Sequence, residues 1–457
     1  MTAIERHRAE RCNEAAVLAA EALLDEAEAE LIYYAAVSLN GRVLTKVVPR
    51  RHFRRNLARG VQLHASAIAD LTTSIGGDLL GGGAEAPELT AMPDPATLVI
   101  LPWDRKMAFV FCDLFVREDS PKEGGEHSPL DVRGILRARH AAFQATTGFT
   151  LKSGCEPEMA WISDTPPFSR PGLAPNYHFG TLDAHRELVQ RVVAYGMAMG
   201  LDMIEADYED IHQIELNWMF DNAELTADRL IMYRMLCRQV GREFGVIATF
   251  MPKPATGVMG NGCHHNISLW AQNQNIFEDP SISELHVTDE ARWSIGGILQ
   301  YSGAAMAIMA PTVNSYKRFA DLGQFAPIEV NWGLDNKTCT VRVSASGRLE
   351  YKLPDASVNP YLSHAVVLEM LERGLSQRID PGAPSERDSA KGDTSVFPAL
   401  SKTLGDSVAA AAGSDLVTAA IGAPMASLFL EYKSDEWHRY CAAVTDWDRA
   451  HYLEFLP

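Results

Sequence analysis

The sequence predicts an α+β protein in two parts: a small, mostly β N-terminal domain, then a larger domain in which helices alternate with strands. Three observations carry this expectation. The 457 residues exceed what a single hydrophobic core usually organises. Two apolar, β-branched or aromatic runs, Leu31–Leu39 and Arg42–Pro49, meet at Asn40-Gly41, a dipeptide suited to a tight hairpin because both residues tolerate positive φ. Beyond residue 130 the apolar spacing switches repeatedly between the helical and the strand period.

Taken in order, residues 1–30 read as an N-terminal helix, its Ala-rich run interrupted by Glu21, Asp25, Glu26 and Glu30, which suits an amphipathic helix and not a secretory leader. Residues 31–120 form the β domain: the hairpin, an exposed loop at Gly76–Pro87 with five glycines, and strands at Thr97–Pro102 and Met107–Phe115. Glu118–Pro129, rich in Pro, Gly and charge, marks the boundary. In the larger domain, 121–457, the helical period covers Asp131–Thr147, Asp183–Met199, Leu225–Phe244, Glu290–Met309 and Asn359–Arg373. Strands are expected at Thr150–Ile162, Leu201–Asp207, Gln213–Met219, Val246–Met251, Cys263–Trp270, Ile328–Trp332, Thr338–Val343 and Arg348–Leu353. Gln377–Ser395 reads as a surface loop, and two or three helices finish the chain.

The formal net charge of −18 argues against nucleic-acid or anionic-membrane partners, which need clustered Lys and Arg. Seven scattered cysteines without a C-x-x-C pair fit reduced thiols in the cytoplasm. Ser294–Tyr316 and Leu416–Leu430 are the two uncharged stretches that call for a membrane check; the first carries Gln300, Ser302, Pro311 and Asn314, the second spans 15 residues, and both read as buried helices.

The chemistry gathers around Gly260–Trp270. A glycine-rich turn enters a strand whose alternate residues His264, Asn266 and Ser268 share one face, while Cys263, His265, Ile267 and Leu269 share the other. Glu156 and Glu158 likewise share a strand face; Glu209 and Glu215 bracket a short polar connection; Glu350 and Lys352 sit at i and i+2, with Arg342 on the preceding strand. Five carboxylates and one histidine on strand faces repel one another unless cations neutralise them, and an oxygen-rich set with one imidazole suits Mg²⁺ or Mn²⁺ better than zinc. Lys317, Arg318, Lys337, Arg342, Arg348 and Lys352 fall within 36 residues. Metal ions beside such cations are what phosphoryl transfer needs, and no P-loop or dinucleotide fingerprint is present.

In chain order, Glu156-Pro157-Glu158, Glu209 with Gln213-Ile214-Glu215, Thr249–Pro254, Gly260–Trp270, Ala310–Arg318, and Arg348–Asp355 leading to Asn359-Pro360-Tyr361 resemble successive motifs of the glutamine synthetase superfamily, from about residue 31 onward. The resemblance implies an N-terminal β-grasp domain that packs on the neighbouring subunit, a catalytic domain built on a curved antiparallel sheet with surrounding helices, and a homo-oligomer of stacked rings. It implies ATP as co-substrate and two or three Mg²⁺ or Mn²⁺ ions. By motif position, Glu158, Glu209 and Glu215 resemble the ligands of one metal, and Glu156, His264 and Glu350 those of the metal nearer ATP. Asn266, Ser268, Lys337 and Arg342 fall at nucleotide-binding positions; Glu158, Asn261, Gly262, Arg318 and Lys352 fall at glutamate-binding positions; Glu209, Arg318 and Arg342 carry the catalytic roles.

Departures from the family pattern point to the substrate. Ammonia-using members carry Gly-Tyr-Glu-Ala-Pro in a flap, where this chain has Gly323-Gln324-Phe325-Ala326-Pro327. The family's ammonium-binding aspartate falls at His64, while Tyr177 matches its ammonium-site tyrosine. Replacing two anionic groups by an imidazole and a phenyl ring suits a larger, less polar primary amine. Family arginines fall at Lys337 and Lys352, the second His of H-x-H is Asn266, and the adenylylation-type tyrosine motif is absent around Thr394–Leu400. The expected activity is therefore an ATP-dependent γ-glutamyl amide ligase acting on an alkylamine or aniline-type amine. Glutamine synthetase using ammonia, and a catalytically silent ring-forming scaffold, are the alternatives.

Overall fold

The computed structural model describes residues 1–163, 176–320, 325–389 and 396–454. Residues 1–30 form two helices, α1 (Ala3–Glu10) and α2 (Glu14–Glu26), where one was expected; Thr2 and Asn13 cap them, and Asn13 interrupts the run because its side chain accepts from the Ala16 amide. The N-terminal sheet comprises β1 (Leu31–Val37), β2 (Val43–Pro49), β3 (Val61–His64), β4 (Glu88–Pro93), β5 (Val99–Ile100) and β6 (Met107–Val116), in the order β2-β1-β6-β4-β3 with β5 on β6. The hairpin turns where expected, with Val37 opposite Val43 and Gly41 at φ +72°. Strands β3 and β4 and helix α3 (Phe53–Arg59) escaped sequence reading, since each is short and packed by tertiary contacts more than by local alternation.

The rest of the chain adds α4 (Val132–Thr147), β7 (Thr150–Pro157), β8 (Ala160–Ile162), α5 (Phe179–Ala184), α6 (Arg186–Ala198), β9 (Met203–Asp210), β10 (Gln213–Trp218), β11 (Asp221–Asn222), α7 (Ala223–Phe244), β12 (Ile247–Thr249), β13 (Cys263–Ala271), β14 (Gln274–Asn275), α8 (Asp289–Met309), α9 (Ser315–Ala320), β15 (Trp332–Leu334), β16 (Val341–Val343), β17 (Leu349–Tyr351), α10 (Pro360–Gln377), α11 (Leu404–Ala412), α12 (Leu416–Ile421), α13 (Ala423–Ala442) and α14 (Asp446–Tyr452). The strands form two sheets, β12-β8-β10-β9 and β11-β7-β13-β17-β16-β15, antiparallel throughout except for the β15–β16 pair. The expected strand at Ile328–Trp332 is not one: Glu329 makes only an isolated bridge to Ala399, and pairing starts at Trp332. The single strand expected at Thr150–Ile162 breaks at Glu158-Met159 into two strands belonging to different sheets.

Helices α4 and α7 pack on β7 of the larger sheet, and α10 lies against α4, α7 and α8. The α8–α10 contact is a backbone-to-backbone approach: a Cβ at Gly297 would sit 2.2 Å from the Met370 carbonyl oxygen, and one at Gly374 2.3 Å from that of Trp293. The two sheet systems are joined by buried charge. Arg133 on α4 donates to Asp113 at 2.7 Å, Asp228 at 2.9 Å and Asp94 at 3.1 Å, and Asn359 at the start of α10 donates to the carbonyls of Ser38 and Leu39. Among the described residues no helix is long and apolar enough to cross a membrane. The two uncharged stretches fall largely on α8 and on α12–α13, whose inner faces are buried.

Candidate active site

Strand β13 runs between β7 and β17, and the register determines what meets on its polar face. His264 lies opposite Glu156, and Asn266 lies between Gly154 and Glu350. Directly opposed residues share a face, so His264 Nδ1 comes 3.4 Å from Glu156 Oε2 and 3.3 Å from Glu350 Oε1. The ligand atoms of Glu156, His264 and Glu350 all lie within 4.8 Å of one another.

Where β7 ends, Glu158 turns toward the glycine-rich entry to β13. Its amide donates to the Gly262 carbonyl at 3.0 Å, and Gly262 N–H returns a bond to Glu158 Oε2 at 2.5 Å. Residue 262 has no room for a side chain, since a Cβ would fall 2.6 Å from His264 Nε2 and 2.9 Å from an Arg318 nitrogen. Asn261 is fully buried and its amide is occupied, donating to the Met251 carbonyl and accepting from Gln213. Its side chain shapes the loop and does not face the cleft.

The second sheet supplies further acids through the β9–β10 hairpin. Glu215 lies across from Asp207, and Glu209 follows two residues later on β9. Burial, reinforced by Glu156 and Glu158, pushes the Glu215 carboxyl well above its ordinary range; burial and Glu158 push Glu209 upward; burial, Glu209 and Glu205 raise Asp207 to about 7. Asp207 was missed from the sequence, although its i−2 spacing from Glu209 carried the signal. By contrast Glu350 is held well below its ordinary range: burial opposes ionisation, but the His264 bond and the charges of Lys352 and Arg342 overcome it. Lys352 Nζ is 3.6 Å from Glu350 Oε1, and Arg342 donates to Glu350 Oε2 at 3.0 Å.

Glu156, Glu158, Glu209, Glu215, His264 and Glu350 thus line one cleft of about 150 Å³ together with Asp207, Arg318, Arg342, Lys337 and Lys352. Arg318, on α9, is 3% exposed; one terminal nitrogen lies 3.3 Å from His264 Nε2 and the other is buried without a partner. Tyr177 and Phe325 line the same cleft. The Tyr177 hydroxyl donates to Glu209 at 3.3 Å, and the carboxylates of Glu209 and Asp207 help push its phenol up to about 12. The Lys337 ammonium sits 5.9 Å above the Phe325 ring. Both aromatic residues adopt positive φ, +60° and +56°, a conformation bulky residues avoid unless the surroundings enforce it. Gly323 and Gln324, which precede Phe325 in the flap segment, and Thr394 and Ser395 of the stretch that lacks the adenylylation-type motif lie outside the described residues. His64 does not line this cleft: it ends β3, with Nε2 3.2 Å from the Ala84 carbonyl.

Asn266 and Ser268 open onto an adjoining cavity of about 270 Å³ lined also by Glu156, Phe220, Trp270 and Arg348. Asn266 donates to Glu156 at 2.6 Å, bridging the two spaces.

The donor set fits a hard divalent cation: mostly carboxylate oxygens with one imidazole, several of the acids driven toward protonation by burial and by mutual repulsion that a metal would relieve. The opposite face of β13 differs. His265, Cys155 and His364 also cluster, but the histidine rings stack at 4.4 Å and their nitrogens are taken by Ser363, Ser153 and the Pro360 carbonyl. That cluster is satisfied core.

Residues 129–452 match the family described as "Glutamine synthetase, catalytic domain". The chain is 30% identical to the glutamate–methylamine ligase of Methyloversatilis universalis over 458 residues, covering 96% of this chain and 99% of that protein. It is 32% identical to a glutamine synthetase of Rhizobium meliloti over 379 residues, covering 79% and 84%. A solved chain described as a GmaS/ADP complex superposes with a TM-score of 0.84 at 30% identity, covering 95% of this chain and 99% of that one. The α+β architecture and the run of matched motifs lead to one assignment: this chain belongs to the glutamine synthetase family, a family of ATP-dependent ligases.

Proposed function

We propose that the protein joins the γ-carboxylate of glutamate to a primary organic amine, an alkylamine or aniline-type compound, with ATP converted to ADP and phosphate. The observation that carries this reading is Phe325, an apolar ring on the wall of a cleft lined mostly by charged side chains. The glutamate–methylamine ligase relative supports the same direction.

In this reading a γ-carboxylate oxygen of glutamate attacks the γ-phosphorus of ATP, ADP leaves, and the amine nitrogen then attacks the acyl carbon as phosphate departs and a proton leaves the amine. The activation is necessary because a free carboxylate is a poor electrophile. Arg318, buried with an unpartnered nitrogen, binds the carboxylate of glutamate. Arg342, Lys337 and Lys352 take the phosphate charge, and Asn266 and Ser268 face the nucleotide. Glu209, raised in pKa and beside the Tyr177 hydroxyl, is placed to accept the amine's proton. Glu158, Glu209 and Glu215, and separately Glu156, His264 and Glu350, would hold the divalent ions, which when bound neutralise charge on the transferring phosphoryl group. We further propose a ring-type homo-oligomer in which His64 enters the amine pocket of a neighbouring copy.

The test is a phosphate-release assay with glutamate, ATP and Mg²⁺ against ammonium, methylamine, longer alkylamines and aniline. The expected result is an organic amine preferred over ammonium in kcat/KM. Preference for ammonium would establish glutamine synthetase activity instead. The observation on that side is the Asp207–Glu209 pair next to Tyr177, which would favour a small cation.

A further inference from the structure

A cavity of about 560 Å³ lies away from the acidic cleft, between the β1–β2 turn, α7, β12 and α13. In a chain of net charge −18 its walls carry five basic side chains, Arg42, Arg234, Arg238, Lys433 and Arg439, against two carboxylates, Asp435 and Glu436. Those two acids are already occupied. Asp435 accepts from Arg439 at 2.6 Å and from the Ile75 amide at 2.6 Å. Glu436 accepts from Lys433 at 2.9 Å and from the Val313 amide at 3.2 Å. Arg42 shares Asp70, at 3.3 Å, with Asn40.

Arg234 and Arg238 are left without a carboxylate. Arg234 is 6% exposed; one terminal nitrogen donates to the carbonyls of Ala356 and Val358, and its Nε is buried with no partner. Arg238, one turn along α7, makes no hydrogen bond or ion pair among the described residues. The buried Arg234 guanidinium has been taken from water without a counter-charge, which is costly, and burial first, then the charge of Arg238, holds it below its ordinary pKa; Arg238 is exposed and lines the same cavity.

We propose that this cavity binds a compact multivalent anion, a polycarboxylate or a phosphorylated small molecule, through Arg42, Arg234 and Arg238. Planar guanidinium forks suit carboxylate and phosphate oxygens equally. The cavity is also wired to the glutamate-binding loop. The Ala356 carbonyl held by Arg234 belongs to a residue whose amide donates to the Asn261 carbonyl at 3.1 Å, and the Met251 carbonyl accepts from the Asn261 side chain at 2.7 Å.

The experiment is calorimetric titration of the full chain, freed of divalent metal, with citrate and with pyrophosphate as probes, in the wild type, in R42Q/R238Q and in E158Q. Both substituted arginines are exposed, so the double variant should melt as the wild type does. The expected result is saturable binding of at least one probe that weakens about tenfold or more in R42Q/R238Q and is unchanged in E158Q. A response to citrate alone assigns a polycarboxylate ligand, and to pyrophosphate alone a phosphorylated one. Absence of binding in the wild type, equal binding in R42Q/R238Q, or a change only in E158Q, which would place the probe in the catalytic cleft, overturns the proposal.

Discussion

His264 and His265 are neighbours on one strand and live in opposite worlds. His264 faces three carboxylates and has its pKa raised: burial and Lys352 oppose protonation, but Glu156, Glu350 and Glu158 prevail. His265 faces the helices, fully buried and stacked on His364, and burial holds it well below its ordinary value, neutral. Chemical type did not decide their roles. The strand period did, by delivering one ring to a polar face and the next to the core. The two faces of β13 therefore make separable predictions: damage to one should remove chemistry, and damage to the other should remove stability.

The largest effect is expected from Glu158→Ala or Glu215→Ala, which should lower ATP-dependent amide formation by about two to three orders of magnitude while circular dichroism and assembly remain native. Full activity of either variant with Mg²⁺ would remove that residue from the metal site. On the other face, His265→Ala strips a stacked, hydrogen-bonded ring from the core and should destabilise the fold by about 2–4 kcal/mol, read by denaturant unfolding, with metal affinity in the folded protein unchanged.

The same contrast has a pH signature. Asp207, protonated up to about pH 7 in the fold, ionises near pH 4 in the unfolded chain, so the folded state binds the extra proton and metal-free stability falls as pH rises between those values. His264, with its folded pKa raised, adds stability that is complete below about 6.5 and lost as pH climbs past its folded value. Both trends vanish when a cation replaces protons. Thermal stabilisation by Mn²⁺ should therefore be larger at pH 8 than at pH 5.5, and a pH-independent metal effect would contradict the acidic cleft as the metal site. The smallest effect concerns selectivity. Phe325→Glu should move the kcat/KM ratio of ammonium to organic amine about tenfold toward ammonium, since one charge is exchanged for one apolar contact at an exposed wall.

Much of this was legible in the chain, and the limits have physical causes. The faces of β13, the hairpin at Asn40-Gly41 and the long helices follow from periodicity, which needs no tertiary information. The convergence of Glu156 with His264 and Glu350 was signalled by acids placed where strands usually carry apolar residues. Asp207 was passed over because it was read as the end of an apolar strand, although Glu205, Asp207 and Glu209 alternate on one face. The break at Glu158-Met159, the bridge at Glu329 and the occupied amide of Asn261 depend on partners 10 to 104 residues away, and no local pattern encodes them. The arginine-lined cavity was invisible for the same reason, its walls coming from both ends of the sequence and the middle.

The central claim is that the His264 face of β13 is the metal-holding face. Electron spin-echo spectroscopy of the Mn²⁺-loaded protein tests it most directly. A nitrogen coupling from a bound imidazole should be present in the wild type and absent in His264→Gln. A coupling that persists in that variant would place the metal elsewhere and contradict the account.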